Sequence, residues 1–172
     1  MMKNNLFDYG RVREDHIVSL FWKQGYTAAI NECFDEEGNS IAQTYVLNGY
    51  HRSYPDIDVF ELEKDKECIL RVEVKSFSAL QNNSIRKNGK VLPVSVSQFE
   101  SYLELFRLSE VPTKIIFVIG TPEYYEYYWE DILVMNSLPK KKGKHFDGEK
   151  DCYFWRPEDL RCGLDGFFDV KL

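Results

Sequence analysis

The sequence predicts an α/β protein, a three-layer α/β/α sandwich around a mixed central sheet. Three observations lead there. The predicted elements run helix, three or four strands, helix, strand, an order that puts helices on the faces of one sheet. Asp56-Ile57-Asp58-Val59 and Arg71-Val72-Glu73-Val74-Lys75 alternate polar and apolar side chains with the period of a strand. Residues 114–119 are a continuous apolar run ending at Gly120, as expected for a strand covered on both faces.

Taken in order, residues 10–25 predict a helix, with Val12, His16, Ile17, Leu20 and Phe21 at helical spacing and Gly25 as the stop. Extended segments follow at 27–34 and 40–47, joined by the hairpin-like loop Asp35-Glu36-Glu37-Gly38-Asn39. Strands at 57–62 and 68–77 flank the charged turn Glu63-Lys64-Asp65-Lys66-Glu67. Residues 78–94 are rich in loop formers and predict an irregular insertion. Ser95 or Ser97 can cap a helix running to about Ser109, with Phe99, Tyr102, Leu103 and Phe106 on its apolar face. Beyond the strand at 114–119 come an aromatic-rich segment (124–134), a basic loop (140–144), a late strand (151–155) and a short helical turn opened by Pro157.

The 172 residues suit one domain, with a core at about 10–120 and an aromatic-rich extension at 121–172. Hydrophobic residues are 44% and charged residues 29%, the balance of a soluble globular chain. No apolar run is long enough for a membrane span, and the first residues do not read as a signal peptide. These features predict a cytoplasmic protein. Cys33, Cys68, Cys152 and Cys162 form no CxxC pair, which argues against structural zinc and for reduced thiols. The net charge of −6 argues against a simple DNA-coating role. No GxxxxGK[ST] loop is present, so the chain has no nucleotide-driven motor of its own.

Chemistry concentrates in the hairpin from Asp56 to Lys75. Asp56 and Asp58 share one face, and so do Glu73 and Lys75; Ile57, Val59, Val72 and Val74 form the opposite, buried face, so an acidic pair and a lysine meet on one surface. A turn centred between Asp65 and Lys66 makes paired residue numbers sum to 131, setting Asp58 opposite Glu73 and Asp56 opposite Lys75. A register with a sum of 129 sets Asp56 opposite Glu73 instead. Two carboxylates a strand apart repel unless a cation or a proton lies between them. A hard divalent ion suits such oxygens, and a neighbouring lysine can orient the attacking water or stabilise developing charge. Those are the requirements of phosphodiester hydrolysis. A solvent-facing strand with a weak cross-strand salt bridge is the simpler alternative for the hairpin taken alone.

Pro55-Asp56 followed by Glu73-Val74-Lys75 resembles the signature of the PD-(D/E)xK nuclease superfamily. Glu14 matches the acidic residue on that superfamily's first helix. Gln98-Phe99-Glu100-Ser101-Tyr102 matches the QxxxY element of its RecB-like and resolvase-like branches. The resemblance covers roughly residues 10–120. It implies a restriction-endonuclease-like fold, one or two Mg2+ ions with Mn2+ as a substitute, and cleavage of DNA or of RNA. It also implies roles. Asp56 or Asp58 and Glu73 would be metal ligands, and Glu14 would complete the shell through water. Lys75 would be the catalytic lysine, Gln98 would support the lysine or the scissile phosphate, and Tyr102 could contact the substrate backbone. DNA repair, restriction or phage defence would be natural settings, with a homodimer where two strands are cut. A catalytically inactive binding or assembly subunit on the same fold is the rival expectation.

Two concentrations of positive charge would suit phosphate contact, Arg86, Lys87 and Lys90 in one, and Lys141 and Lys142 within the Lys140–Lys144 run in the other. The tyrosines at 124, 125, 127 and 128 with Trp129 read as sheet packing ahead of base stacking, and His16 as a core or edge residue.

Overall fold

Two strands at the centre of the protein decide its layers. In this computed structural model β7 (Cys68–Phe77) and β9 (Thr113–Thr121) run parallel, paired from Arg71↔Thr113 to Phe77↔Ile119. Side chains alternate along both. Val72, Val74, Ile116 and Val118 turn to one face, where Ile17, Val18 and Phe21 of α1 (Asn5–Lys23) cover them. Ile115, Phe117 and Ile119 turn to the other, where Phe99, Tyr102 and Leu103 of α2 (Val96–Ser109) cover them, with Ile132 and Met135 of α3 (Ile132–Ser137). Each aliphatic or aromatic side chain buried this way contributes roughly 1.5–3 kcal/mol.

The structure describes residues 5–34, 40–41, 43–61, 67–78, 90–145 and 148–170. Six strands form the central sheet in the order β1-β6-β7-β9-β10-β13. Here β1 is Tyr26–Ile30, β6 is Ile57–Glu61, β10 is Tyr124–Asp131 and β13 is Arg161–Cys162. All neighbouring pairs except β7–β9 are antiparallel, so the sheet is mixed, as the element order predicts. Residues 121–172 are less an extension than expected, because β10 and β13 complete the sheet.

Three small sheets surround this one. β2 (Cys33–Phe34) pairs with β3 (Ser40–Ile41), and the predicted loop between them lies outside the described residues. β4 (Thr44–Leu47) pairs with β5 (Tyr50–Ser53), a strand that the sequence reading leaves out. β8 (Leu92–Ser95), β12 (Asp151–Trp155) and β11 (Lys141–Lys144) form a third sheet. Lys141–Lys144 is therefore a strand where a loop is expected, and part of the expected insertion is also strand. A 3-10 turn at Pro157–Asp159 matches the expected helical start.

Ser95 holds the N-cap position of α2, but its hydroxyl meets Ser97 Oγ at 2.9 Å and not a helix N–H. Arg13, 3% exposed, fastens α1 to the ends of the central strands, donating to Gly120 O at 2.6 Å and Phe77 O at 3.3 Å. Gly120 has φ +110, and a Cβ there would lie 2.4 Å from Tyr124 O. Only glycine permits this turn from β9 into β10. Among the described residues no helix is long and apolar enough to cross a membrane.

Candidate active site

The alternation that builds the core also exposes a chemistry-bearing row. With Val72 and Val74 facing α1, Arg71, Glu73 and Lys75 of β7 face α2. The β6–β7 register is Ile57↔Val72, Asp58↔Arg71 and Val59↔Leu70, a sum of 129. One step further, Asp56 meets the position of Glu73. Its carboxylate accepts the Val74 N–H at Oδ2 over 2.8 Å. Asn31 holds this corner, donating its Nδ2 to Pro55 O at 3.1 Å and its backbone N–H to Asp56 O at 2.7 Å. No sequence signal singles out Asn31, since its role exists only once β1 and β6 pair.

Asp58 does not join that cluster. It accepts from Tyr54 Oη at 3.1 Å and lies 3.8 Å from the Arg71 guanidinium, which also donates to Ser109 Oγ at 2.6 Å. Of the two registers that the sequence leaves open, the strands adopt the sum of 129, with an irregularity between Val59 and Phe60.

Glu73 is 2% exposed. Its Oε1 contacts Lys75 Nζ, which also donates to Gln98 Oε1 at 3.1 Å. Gln98 thus reaches the lysine from α2, as the resemblance implies. Tyr102, one turn on, is only 1% exposed and packs between α2 and the sheet. It is buried beneath the carboxylates and not presented to a substrate backbone. Burial, then the charges of Glu73 and Asp56, push its hydroxyl well above the ordinary tyrosine range.

The electrostatics follow from crowding. Burial, followed by the Glu73 charge, raises Asp56 well above the usual carboxylate range. Burial also raises Glu14, with Arg11 opposing and Glu73 adding to the shift. Burial alone would lower Lys75, but Glu73 and Asp56 outweigh it, so the ammonium is held more tightly than in an ordinary lysine. Lys75 is therefore the counter-ion of a carboxylate pair.

Glu73 Oε2 is buried with no hydrogen-bond partner. An orphaned carboxylate oxygen beside a second, strained carboxylate fits a divalent cation. Among the described residues no group of three or more His, Cys, Asp or Glu is arranged to hold a metal ion directly. A hard ion such as Mg2+ would suit carboxylate oxygens of this kind and keep several waters. Asp56 and Glu73 would hold it, with Glu14 in reach electrostatically on α1.

A cleft of about 730 Å³ opens over Lys75 and Gln98, walled by Ser53, Ser97, His145 and Lys150. Lys141 and Lys142 are exposed on β11, whose neighbour β12 lends Asp151 and Cys152 to the same cleft. Lys90 is exposed just ahead of β8, whereas Arg86 and Lys87 lie outside the described residues. Ser53 and Lys150 are additions to the expected site. The β4–β5 hairpin that carries Ser53 had a readable signal in Asn48-Gly49, the favoured pair for a two-residue turn.

No family model matches the chain, and no curated protein is similar to it in sequence. Solved structures resemble it in fold. A nuclease from a fusselovirus superposes over 98% of this chain and 92% of its own length, with a TM-score of 0.57 at 10% identity. The chain has the restriction-endonuclease-like fold. The Holliday junction resolvase Hjc of Archaeoglobus fulgidus aligns over 87% of this chain and 85% of its own, with a TM-score of 0.49 at 15% identity. The fold is the one that the sequence resemblance implies. Within this fold Cys68 is half-buried, Cys152 buried and Cys162 exposed. His16 is a helix-to-sheet contact, 2.7 Å from Tyr127 Oη, and Trp129 is buried.

Proposed function

We propose that the protein is a Mg2+-dependent nuclease that hydrolyses phosphodiester bonds, with DNA as substrate. One observation carries this reading. Lys75 and Gln98 line an open cleft, and Lys75 Nζ touches both Gln98 and the buried Glu73, with Asp56 anchored on Val74 N.

Each residue has a physical task. Asp56 and Glu73 present oxygens that burial and mutual repulsion leave short of positive charge. A bound Mg2+ would supply Lewis acidity toward the phosphate and an acidified water. Lys75, held as the ammonium, would orient the attacking water by hydrogen bonding and stabilise charge developing on the phosphate oxygens. Gln98 keeps the ammonium aimed at the cleft. Glu14 lends a further negative charge from α1, suited to orienting the attacking water. Lys141, Lys142 and Lys90 supply phosphate contacts around the acidic centre, which a chain of net charge −6 needs locally. A second copy of the chain would bring a second centre where both strands of a duplex are cut.

The test is incubation with single- and double-stranded DNA and with RNA, in Mg2+, Mn2+ or EDTA. Metal-dependent cleavage of DNA that is lost in Lys75→Ala and Glu73→Ala supports the proposal. Cleavage of RNA alone would reassign the substrate. Cleavage surviving both substitutions would remove the site, and no cleavage of any nucleic acid would leave a non-catalytic binding subunit.

A further inference from the structure

The cleft wall at Ser53 continues outward along the β4–β5 hairpin. Thr44 pairs with Ser53 and Val46 with His51, so strand alternation puts all four side chains on one face. His51 lies about 7 Å beyond Ser53 along that face, two residues up the strand. The reverse face is committed to α2. Tyr45 Oη donates to Ser101 O at 2.8 Å, and the Arg52 guanidinium lies 3.1 Å from Glu104 Oε2. The tip is a two-residue turn with positive φ at both Asn48 (51°) and Gly49 (80°), whose twist matches the strands it joins. The hairpin is therefore a fixed arm presenting its outer face beside the cleft.

That outer face carries Thr44, Val46, His51 and Ser53. Val46 is 63% exposed although nothing in the fold requires an apolar side chain there. His51 is exposed, with Nδ1 3.2 Å from Thr44 Oγ1. With the threonine hydroxyl donating, the ring proton sits on Nε2 and makes it a donor. None of the four residues is acidic, in a chain of net charge −6. A donor, an apolar patch and no carboxylate, continuous with a cleft that holds Lys75, suit a polyanionic strand with apolar faces.

We infer that the substrate strand leaves the cleft across the outer face of the β4–β5 hairpin, with His51 contacting a phosphate and Val46 the adjoining sugar or base. This rests on the nuclease reading and names where its substrate runs. Fluorescein-labelled DNA single strands and duplexes of increasing length are bound in EDTA and followed by anisotropy, then cleaved in Mg2+. Wild type is compared with His51→Glu, Val46→Asp and Leu108→Asp, the last adding the same charge at a remote exposed position (59% exposed). The expected result is a roughly tenfold loss of affinity for the longer strands in the two hairpin variants. The shortest cleavable strand and the Leu108→Asp protein should be unaffected, and thermal melting of all variants should match wild type. Should wild type bind and cleave while both hairpin variants bind long strands equally well, the inference is overturned and the nuclease reading stands. Binding without cleavage, lost in the hairpin variants, would support the strand path and overturn the nuclease reading. A wild-type protein that binds no nucleic acid overturns both.

Discussion

Asp58 lies across the β6–β7 pair from Arg71, and this relationship decides which aspartate is available for chemistry. The Arg71 guanidinium and the Tyr54 hydroxyl engage Asp58, whereas Asp56 has a single backbone donor and two neighbouring carboxylates. Asp56→Ala should reduce single-turnover cleavage by two orders of magnitude or more, the order of loss that follows removal of a charge-stabilising group. Asp58→Ala should keep the rate and lower stability by about 1–3 kcal/mol, since it leaves partly buried donors without an acceptor. Cleavage kinetics paired with urea melts separate the two. Equal rate losses would return Asp58 to the site.

The crowded carboxylates give a pH signature with a definite sign. Asp56 is raised when folded, so the native state binds its proton more tightly than the unfolded chain does. Stability from this group is present at acidic pH and is lost as pH rises from about 4 through the raised value. In EDTA at neutral pH, Asp56→Asn should therefore melt higher than wild type, because asparagine can still accept the Val74 N–H. Mg2+ should raise the wild-type melting temperature more at neutral pH than at pH near 5, since it binds the deprotonated pair. Calorimetric scans at the two pH values, with Mg2+ and with EDTA, read both effects. A larger Mg2+ effect at the acidic pH would contradict the assignment.

Much of this site is legible from alternation alone. Ile57, Val59, Val72 and Val74 mark the buried face, and they fix Asp56, Glu73 and Lys75 to the other one. Register is a different matter. A period of two cannot distinguish pairings that differ by two, and the shift between Val59 and Phe60 breaks any count made from the turn. The third sheet is still less legible. Leu92-Pro93-Val94-Ser95 contains a proline that demotes a strand reading, and it becomes a strand only by pairing with Asp151–Trp155, far along the chain. The same distance hides Lys150 as a wall of the cleft. Helix α2 was readable because its apolar spacing is local, and Gln98 came with it.

Lys75 carries both chemistry and stability, so its substitutions should separate by size and charge. Lys75→Met keeps the stem but leaves Glu73, 2% exposed, without its cation. Stability should fall by about 3 kcal/mol in EDTA, as for other buried pairs broken on one side. Cleavage should fall by about two to four orders of magnitude. Gln98→Leu removes only the 3.1 Å acceptor that aims the ammonium. It should lower kcat about tenfold with substrate affinity unchanged, a misaimed group rather than a lost one. Steady-state kinetics and equilibrium binding on both variants check this. A Gln98→Leu protein that loses affinity but keeps kcat would make Gln98 a substrate contact.

The opposite face of the sheet holds a second buried lysine with no counterpart in the proposed chemistry. Lys114 is 6% exposed and donates to Phe167 O at 2.6 Å and Asp169 O at 2.8 Å, its ammonium 4.9 Å from the Trp129 ring centre. It ties the C-terminal segment to β9. Burial lowers its pKa to about 8, although Asp131 and Asp169 oppose the shift. The unfolded chain holds the same proton to about pH 10.4. Between those values the unfolded state binds more protons, so stability from this group rises with pH. Wild type should therefore gain stability, relative to Lys114→Met, on going from pH near 7.5 to pH near 9.5. Urea melts of both proteins at the two values measure the difference. Because the lysine lies on the α1 face, away from Glu73 and Lys75, cleavage by Lys114→Met should keep the wild-type rate. An unchanged stability difference would mean that Lys114 titrates as an ordinary surface lysine.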